Sequence, residues 1–221
     1  MKRYTLTLLA PALLFSAQSV RADGLEVALG STQESVKGRK SIRVKTLALS
    51  GDVSEKVRLE SEFPIGVSPR GLTMRPLLGA IWTFQETDRF SLAFHPQYDF
   101  GDPAFAARRR LSGGGQSLTL PLEAEVGDEK RLRLTGTLGA TIPRRGGTMG
   151  LYSLGARHLW SRATTLGTEL ENSGGQTLLH LINEWKLDRK SNITLDYAKN
   201  IQRIRSGDTT SVFRAEIALK F

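Results

Sequence analysis

The chain ends Phe213-Arg214-Ala215-Glu216-Ile217-Ala218-Leu219-Lys220-Phe221, and this stretch decides the fold. Phe213, Ala215, Ile217, Leu219 and Phe221 fall on one face of an extended strand, and Arg214, Glu216, Ala218 and Lys220 fall on the other. Successive side chains alternate across a strand, so one face is apolar and the other largely charged. Working back from this end, the same alternation recurs between clusters of Gly, Pro, Asp, Asn and Ser. It predicts strands near 24–30, 41–50, 56–63, 77–84, 89–100, 117–126, 131–142, 150–160, 164–170, 177–187, 192–200 and 211–221. That is about twelve, an even number, as a single-chain barrel with both termini on one side requires. The segments 24–30 and 164–170 are short, and without them the pattern gives ten strands.

The beginning of the chain agrees. Lys2 and Arg3 precede a mostly apolar run from Leu6 to Ala17, and Val20-Arg21-Ala22 places small residues where a signal peptidase reads them. A spanning helix needs ~20 apolar residues; Pro11 and the shortness of this run point to a cleaved signal instead. The expected division is a signal peptide over 1–22 and a transmembrane barrel over 23–221. Beyond the signal no apolar run is long enough for a spanning helix. The mean hydropathy of −0.24 is no objection, because a barrel alternates lipid-facing and lumen-facing residues. Cysteine is absent, which removes disulfide frameworks and thiolate chemistry. The precursor's net charge of +9 becomes +6 once Lys2, Arg3 and Arg21 leave with the signal, a balance that favours anionic partners.

Numbering strands back from Phe221 sorts the aromatics into two bands. Trp82, Phe84, Phe90, Trp160, Trp185 and Phe221 fall at one end of their strands; Phe63, Tyr98, Phe100, Tyr152, Tyr197 and Phe213 fall at the other. All share the parity of the apolar face, as the interfacial girdles of a membrane barrel do; the core of a soluble β-sandwich has no reason to sort them so. The short polar connections, Gly51–Glu55, Gln85–Asp88, Gly127–Lys130, Ser161–Ala163 and Asp188–Ser191, then belong to the periplasmic side. Pro64–Pro76, Gly101–Gln116 and Ile201–Thr210 are the longer outer loops.

Parity also populates the lumen. With Ile42 and Val44 taken as outward, the inward set includes Arg43, Lys45, Arg58, Arg131, Arg133, Arg157, Lys186, Arg214 and Lys220. Against them stand Glu60, Glu62, Asp99, Glu123, Glu125, Glu184, Asp196 and Glu216. Twelve strands ~4.8 Å apart and tilted ~40° enclose a lumen roughly 10 Å wide after side chains are added. Arg43, Lys45, Arg58, Arg133, Arg157 and Arg214 are the candidate solute-binding residues, because a guanidinium fork grips carboxylates bidentately. The near balance of signs leaves cross-strand pairing as the alternative use of the same residues.

A chain ending on an aromatic in register with such a strand resembles the C-terminal signature of bacterial outer-membrane β-barrels. That resemblance implies a place in the outer membrane of a Gram-negative bacterium, among its lipids and lipopolysaccharide, with Phe221 read by the barrel-assembly machinery. In length, strand count and short hairpins the chain resembles the small monomeric porins of the oligogalacturonate-specific family, and Lys40, Arg43, Lys45 and Arg58 in the first hairpins are similar to its local pattern. The resemblance implies a monomeric channel for small anionic solutes such as acidic sugars; Glu60, Glu62, Glu123 and Glu125 depart from it. Two alternatives stand beside it: a closed structural barrel and an outer-membrane lipid-modifying hydrolase.

For the hydrolase, parity puts His158 on the lipid face and His95 and His180 inside, with Ser153 and Ser161 on the face opposite His158. No catalytic set emerges. The histidine spacing suggests no metal site, Gly113-Gly114-Gly115 lacks the strand–loop–helix context of a phosphate loop, and no cofactor is expected. Arg108-Arg109-Arg110 does not point to nucleic acid in an exported protein.

Overall fold

The computed structural model describes residues 24–38, 41–68, 71–74, 76–101, 116–128, 132–144, 146–173, 175–205 and 208–221. The signal segment, Lys40, Arg108–Arg110, Gly113–Gly115 and Arg131 lie outside them.

Strands are β1 (Glu26–Val36), β2 (Ile42–Ser54), β3 (Val57–Ser68), β4 (Gly71–Met74), β5 (Leu77–Thr87), β6 (Phe90–Phe94) and β7 (Gln97–Asp99). The second half adds β8 (Ser117–Gly127), β9 (Leu132–Pro143), β10 (Met149–Ser161), β11 (Thr164–Ser173), β12 (Gln176–Lys186), β13 (Ser191–Asn200) and β14 (Thr209–Lys220). Each pairs antiparallel with its neighbours; β14 pairs with β1, and β3 with β5, so the sheet closes on itself. The result is a closed twelve-stranded antiparallel barrel in which β6 and β7 form one interrupted wall strand.

Two proline sites account for the interruptions. β6 and β7 share one register against β8, and the gap between them is His95-Pro96. Likewise β4 and β5 share one register against β3, and their gap faces Phe63-Pro64 and contains Pro76. Proline has no N–H for the ladder, so prolines gather where pairing lapses. The stretch Pro64–Pro76, expected as an irregular outer loop, therefore contains the two paired arms of a hairpin rising beyond the barrel wall. The strands expected to be short are full length: β1 has 11 residues and β11 has 10.

The packing is inside-out relative to a soluble protein. Among the described residues no large side chain is fully buried, while Leu138, Leu154 and Trp160 are about 70% exposed on the outer wall (71%, 69% and 72%). Such a surface is stable only against hydrocarbon. Exposed aromatics mark both rims of the apolar belt: Trp82, Phe84, Trp160 and Phe221 at the end carrying the tight turns, and Tyr98, Phe100, Tyr152, Tyr197 and Phe213 at the other. The first end is periplasmic and the second external, by the usual asymmetry of turns and loops. Closure is completed at the periplasmic rim by a hydrogen bond of 2.9 Å from the Phe221 N–H to the Leu25 carbonyl.

Candidate functional site: the barrel lumen

Register fixes which side chains face the lumen, because paired residues on neighbouring strands share a face. Arg58, Arg133, Arg157 and Arg214 point inward as the alternation predicts. Arg133 pairs across from Arg157, and Arg214 is flanked by Asp196 and Thr32. Arg43 and Lys45 do not point inward. They share a face with Leu47 and Leu49, which pair with the lipid-facing Leu29 and Val27. The residue facing the lumen is Val44, aligned with Thr32. The apolar phase of β2 changes along its length: Ile42 and Val44 have one parity, Leu47 and Leu49 the other. Only ~9–11 residues of a strand cross the membrane, so the pair lying within the belt decides the phase. Arg43 and Lys45 stand exposed on the outer wall near the external end of β2.

Three of the four remaining arginines are held by carboxylates. Arg58 reaches Ser50 at 2.6 Å, Asp52 at 3.3 Å and Glu26 at 3.4 Å. The Nε of Arg133 lies 3.0 Å from Glu125, and Arg157 Nη1 donates to Glu184 at 2.8 Å. Arg214 forms no ion pair within 4.0 Å among the described residues and is exposed to the lumen.

Carboxylates outnumber guanidinium and ammonium groups on the inward face. Glu169 and Glu171 of β11 and Glu26 of β1 join the eight acids assigned from parity, while Arg43 and Lys45 leave the basic set. The near balance expected from sequence gives way to an acidic wall with three of its four described arginines engaged.

Two histidines sit in that wall, each between two acids. The break at Pro96 lets His95 insert between β3 and β8, its Nε2 2.8 Å from Glu60 Oε2 and its Nδ1 3.1 Å from Glu123 Oε1. His180 Nδ1 lies 3.0 Å from both oxygens of Asp196, and its Nε2 is 3.3 Å from Glu171 without hydrogen-bond geometry. A ring facing acids on both sides satisfies both contacts when it carries both protons. The His95 cluster was hidden because Glu60 and Glu123 come from β3 and β8; His180 is flanked by the neighbouring strands β13 and β11, but the strand expected over 164–170 stopped short of Glu171. His158 is on the outer wall, aligned with Leu132 and Leu166. Among the described residues no group of His, Asp and Glu converges in a way that could hold a metal ion.

The periplasmic mouth holds a site that the alternation did not reveal. A cavity of about 550 Å³ is lined by Arg162, Lys186, Asp188, Arg189, Lys190, Ser191, Asn192 and Lys220. Its cations come from the β10–β11 turn, the end of β12, the β12–β13 turn and the end of β14.

No family model matches the chain, and no curated protein matches it. Solved structures do. A KdgM porin in complex with disordered oligogalacturonate superposes with a TM-score of 0.68 at 12% identity, covering 89% of this chain and 99% of that one. A NanC porin matches with a TM-score of 0.68 at 8% identity, covering 88% and 100%. The translocator domain of autotransporter NalP from Neisseria meningitidis matches with a TM-score of 0.58 at 12% identity, covering 97% and 95%. At these identities the likeness is one of fold: a small outer-membrane β-barrel, shared by porins and by a translocator domain.

Proposed function

We propose that the protein is an outer-membrane channel of a Gram-negative bacterium for small hydrophilic solutes, acidic sugars among them, working as a single closed barrel rather than as an enzyme. The observation that carries this reading is the lumen: its wall is polar and charged from β1 to β14, in a barrel whose outer belt is apolar. A closed barrel of this strand number leaves room for a small solute once side chains are placed. The fold's likeness to two porins, one of them in complex with oligogalacturonate, supports the solute class.

Selectivity arises from mixed charges rather than a bare basic track. Exposed Lys37, Arg203 and Arg205 near the outer mouth draw anions to the entrance. Inside, Arg58, Arg133 and Arg157 are partnered, and Arg214 is the guanidinium open to a passing carboxylate. A rim-to-lumen change of sign disfavours simple, highly charged anions and favours solutes that also offer hydroxyls to Glu and Thr side chains.

The outer wall meets its surroundings by the same chemistry. Arg43 and Lys45, with the outward Lys199 of β13, lie beside or above the external aromatic band, where lipopolysaccharide phosphates lie. The terminal Phe221 presents the aromatic end that the assembly machinery reads.

Solute flux into proteoliposomes tests the channel reading. Galacturonate and a neutral sugar of equal size should both enter, with mannitol-sized solutes faster than pentasaccharides. Liposomes that admit none of these, although the protein is folded, would refute it.

A further inference from the structure

The periplasmic cavity differs from the rest of the channel in charge. Arg162, Lys186, Arg189, Lys190 and Lys220 line it, and Asp188 is its one acid. The Asp188 carboxylate is already engaged, accepting from the Lys190 backbone N–H at 2.7 Å. That bond and one from Ser191, which is the larger effect, hold its pKa below the usual carboxylate range, so it stays ionised and offsets only one of the five positive charges. Lys220 Nζ forms an exposed ion pair with Glu26 at 3.6 Å, a carboxylate that lies outside the cavity lining and is shared with Arg58.

The walls are tied together. The Lys186 N–H donates to the Ala163 carbonyl at 2.8 Å, fixing the β10–β11 turn to the end of β12. The Lys220 N–H donates to the Lys190 carbonyl at 2.7 Å, fixing the β12–β13 turn to the end of β14. Cations from separate elements thus surround one space instead of pointing apart into solvent. Lys186, Asn192 and Lys220 occupy inward-facing positions, so the cavity opens onto the lumen. Its volume of about 550 Å³ lies within the roughly 300–1,000 Å³ of small-molecule sites.

We propose that this cavity is a binding site for small solutes bearing several carboxylates, holding them at the periplasmic exit of the channel. The inference rests on the channel reading for its biological sense, but not for its test. Convergent cations at several points of a cavity match a multivalent ligand better than a single charge. The forks of Arg162 and Arg189 fit the planar carboxylate, while the lysines act as movable point charges. Asn192 and Ser191 offer hydrogen bonds to hydroxyl groups.

The test is calorimetric titration of the detergent-solubilised, folded barrel with two probes, trigalacturonate and neutral maltotriose. Trigalacturonate should bind at low salt and maltotriose should not. Exposed charges are screened within ~10 Å at 0.1 M salt, so affinity should fall steeply as salt rises. Arg162→Ser combined with Arg189→Ser should weaken trigalacturonate by about tenfold or more, the loss of at least one charge-assisted bidentate contact. Asp188→Asn retains an oxygen for the turn's backbone bond and should tighten binding, a change in the opposite direction that misfolding cannot mimic. Lys56→Ser, an exposed cation of the β2–β3 turn that does not line the cavity, should leave the affinity unchanged. Equal affinity in the Arg162/Arg189 variant and the unaltered protein would overturn the proposal, as would weaker binding in Asp188→Asn or equal binding of maltotriose. Inorganic phosphate competing more strongly than trigalacturonate would also overturn it, in favour of a lipid-headgroup or phosphate site. A barrel that binds trigalacturonate but passes no solute would refute the channel and leave this site standing.

Discussion

Replacing Arg157 by Ser separates an arginine that serves solute from one that serves its neighbour. Arg157 Nη1 lies 2.8 Å from Glu184 Oε1, and the two side chains are 37% and 28% exposed. Two unit charges at ~4 Å interact by ~4 kcal/mol at an effective dielectric constant of 20, but water in the lumen screens a pair this exposed, and measured exposed pairs give ~0.2–1 kcal/mol. We therefore expect a coupling of about 0.5–1 kcal/mol between Arg157→Ser and Glu184→Gln in a double-mutant cycle followed by urea unfolding. Permeation should follow the same cycle. Arg157→Ser leaves a free carboxylate and moves the reversal potential in a salt gradient toward cation preference. Glu184→Gln leaves a free guanidinium and moves it toward anion preference. The double variant restores the local charge and should return close to the unaltered protein. If the double variant keeps the full shift of Arg157→Ser and the coupling is below ~0.2 kcal/mol, the pair is incidental and Arg157 acts alone.

Three further outcomes follow from other parts of the wall. Gly139→Ala should destabilise the barrel by ~1–3 kcal/mol by urea unfolding, because a Cβ there would lie 2.5 Å from the Leu120 carbonyl oxygen and 2.7 Å from Pro121 Cα, both backbone atoms; unchanged stability would show that β8 yields freely. Deleting Phe221 should reduce the folded, heat-modifiable fraction in cells while leaving refolding in detergent largely intact; full yield in cells would remove its role in assembly. Arg43→Ser with Lys45→Ser should lower co-purification of lipopolysaccharide without altering the reversal potential. A shift in reversal potential would place these residues in the lumen after all.

How much of this was legible in the sequence depended on where a segment sits relative to the membrane belt. β8, β9 and β14 cross with a sustained alternation, and their inward and outward faces follow from parity alone, whereas β12 keeps its phase although Leu178 and Ile182 face inward and Asn183 outward. β2 misleads because its upper part stands beyond the belt, where neither face is forced to be apolar, and a reading anchored on Ile42 and Val44 takes the wrong phase. The outer parts of β1 and β11, Ser31–Val36 and Glu171–Ser173, are strand without an apolar face for the same reason, so their pattern carried no signal of length. Pro64 and Pro76 were read as loop markers; they share a single gap in the ladder, with strand pairing resumed above it. The periplasmic cavity was illegible for a different reason. Its cations are spread from Arg162 to Lys220, and only the closure of the barrel brings the β10–β11 and β12–β13 turns to the end of β14.

The measurement that tests the account most directly is conductance across a planar lipid bilayer to which the refolded barrel has been added, with the fold confirmed beforehand by heat-modifiable migration. The account predicts discrete, stable conductance steps and, in a potassium chloride gradient, a reversal potential that changes with Arg157→Ser and not with Arg43→Ser. Silent bilayers with demonstrably folded and inserted protein would contradict it.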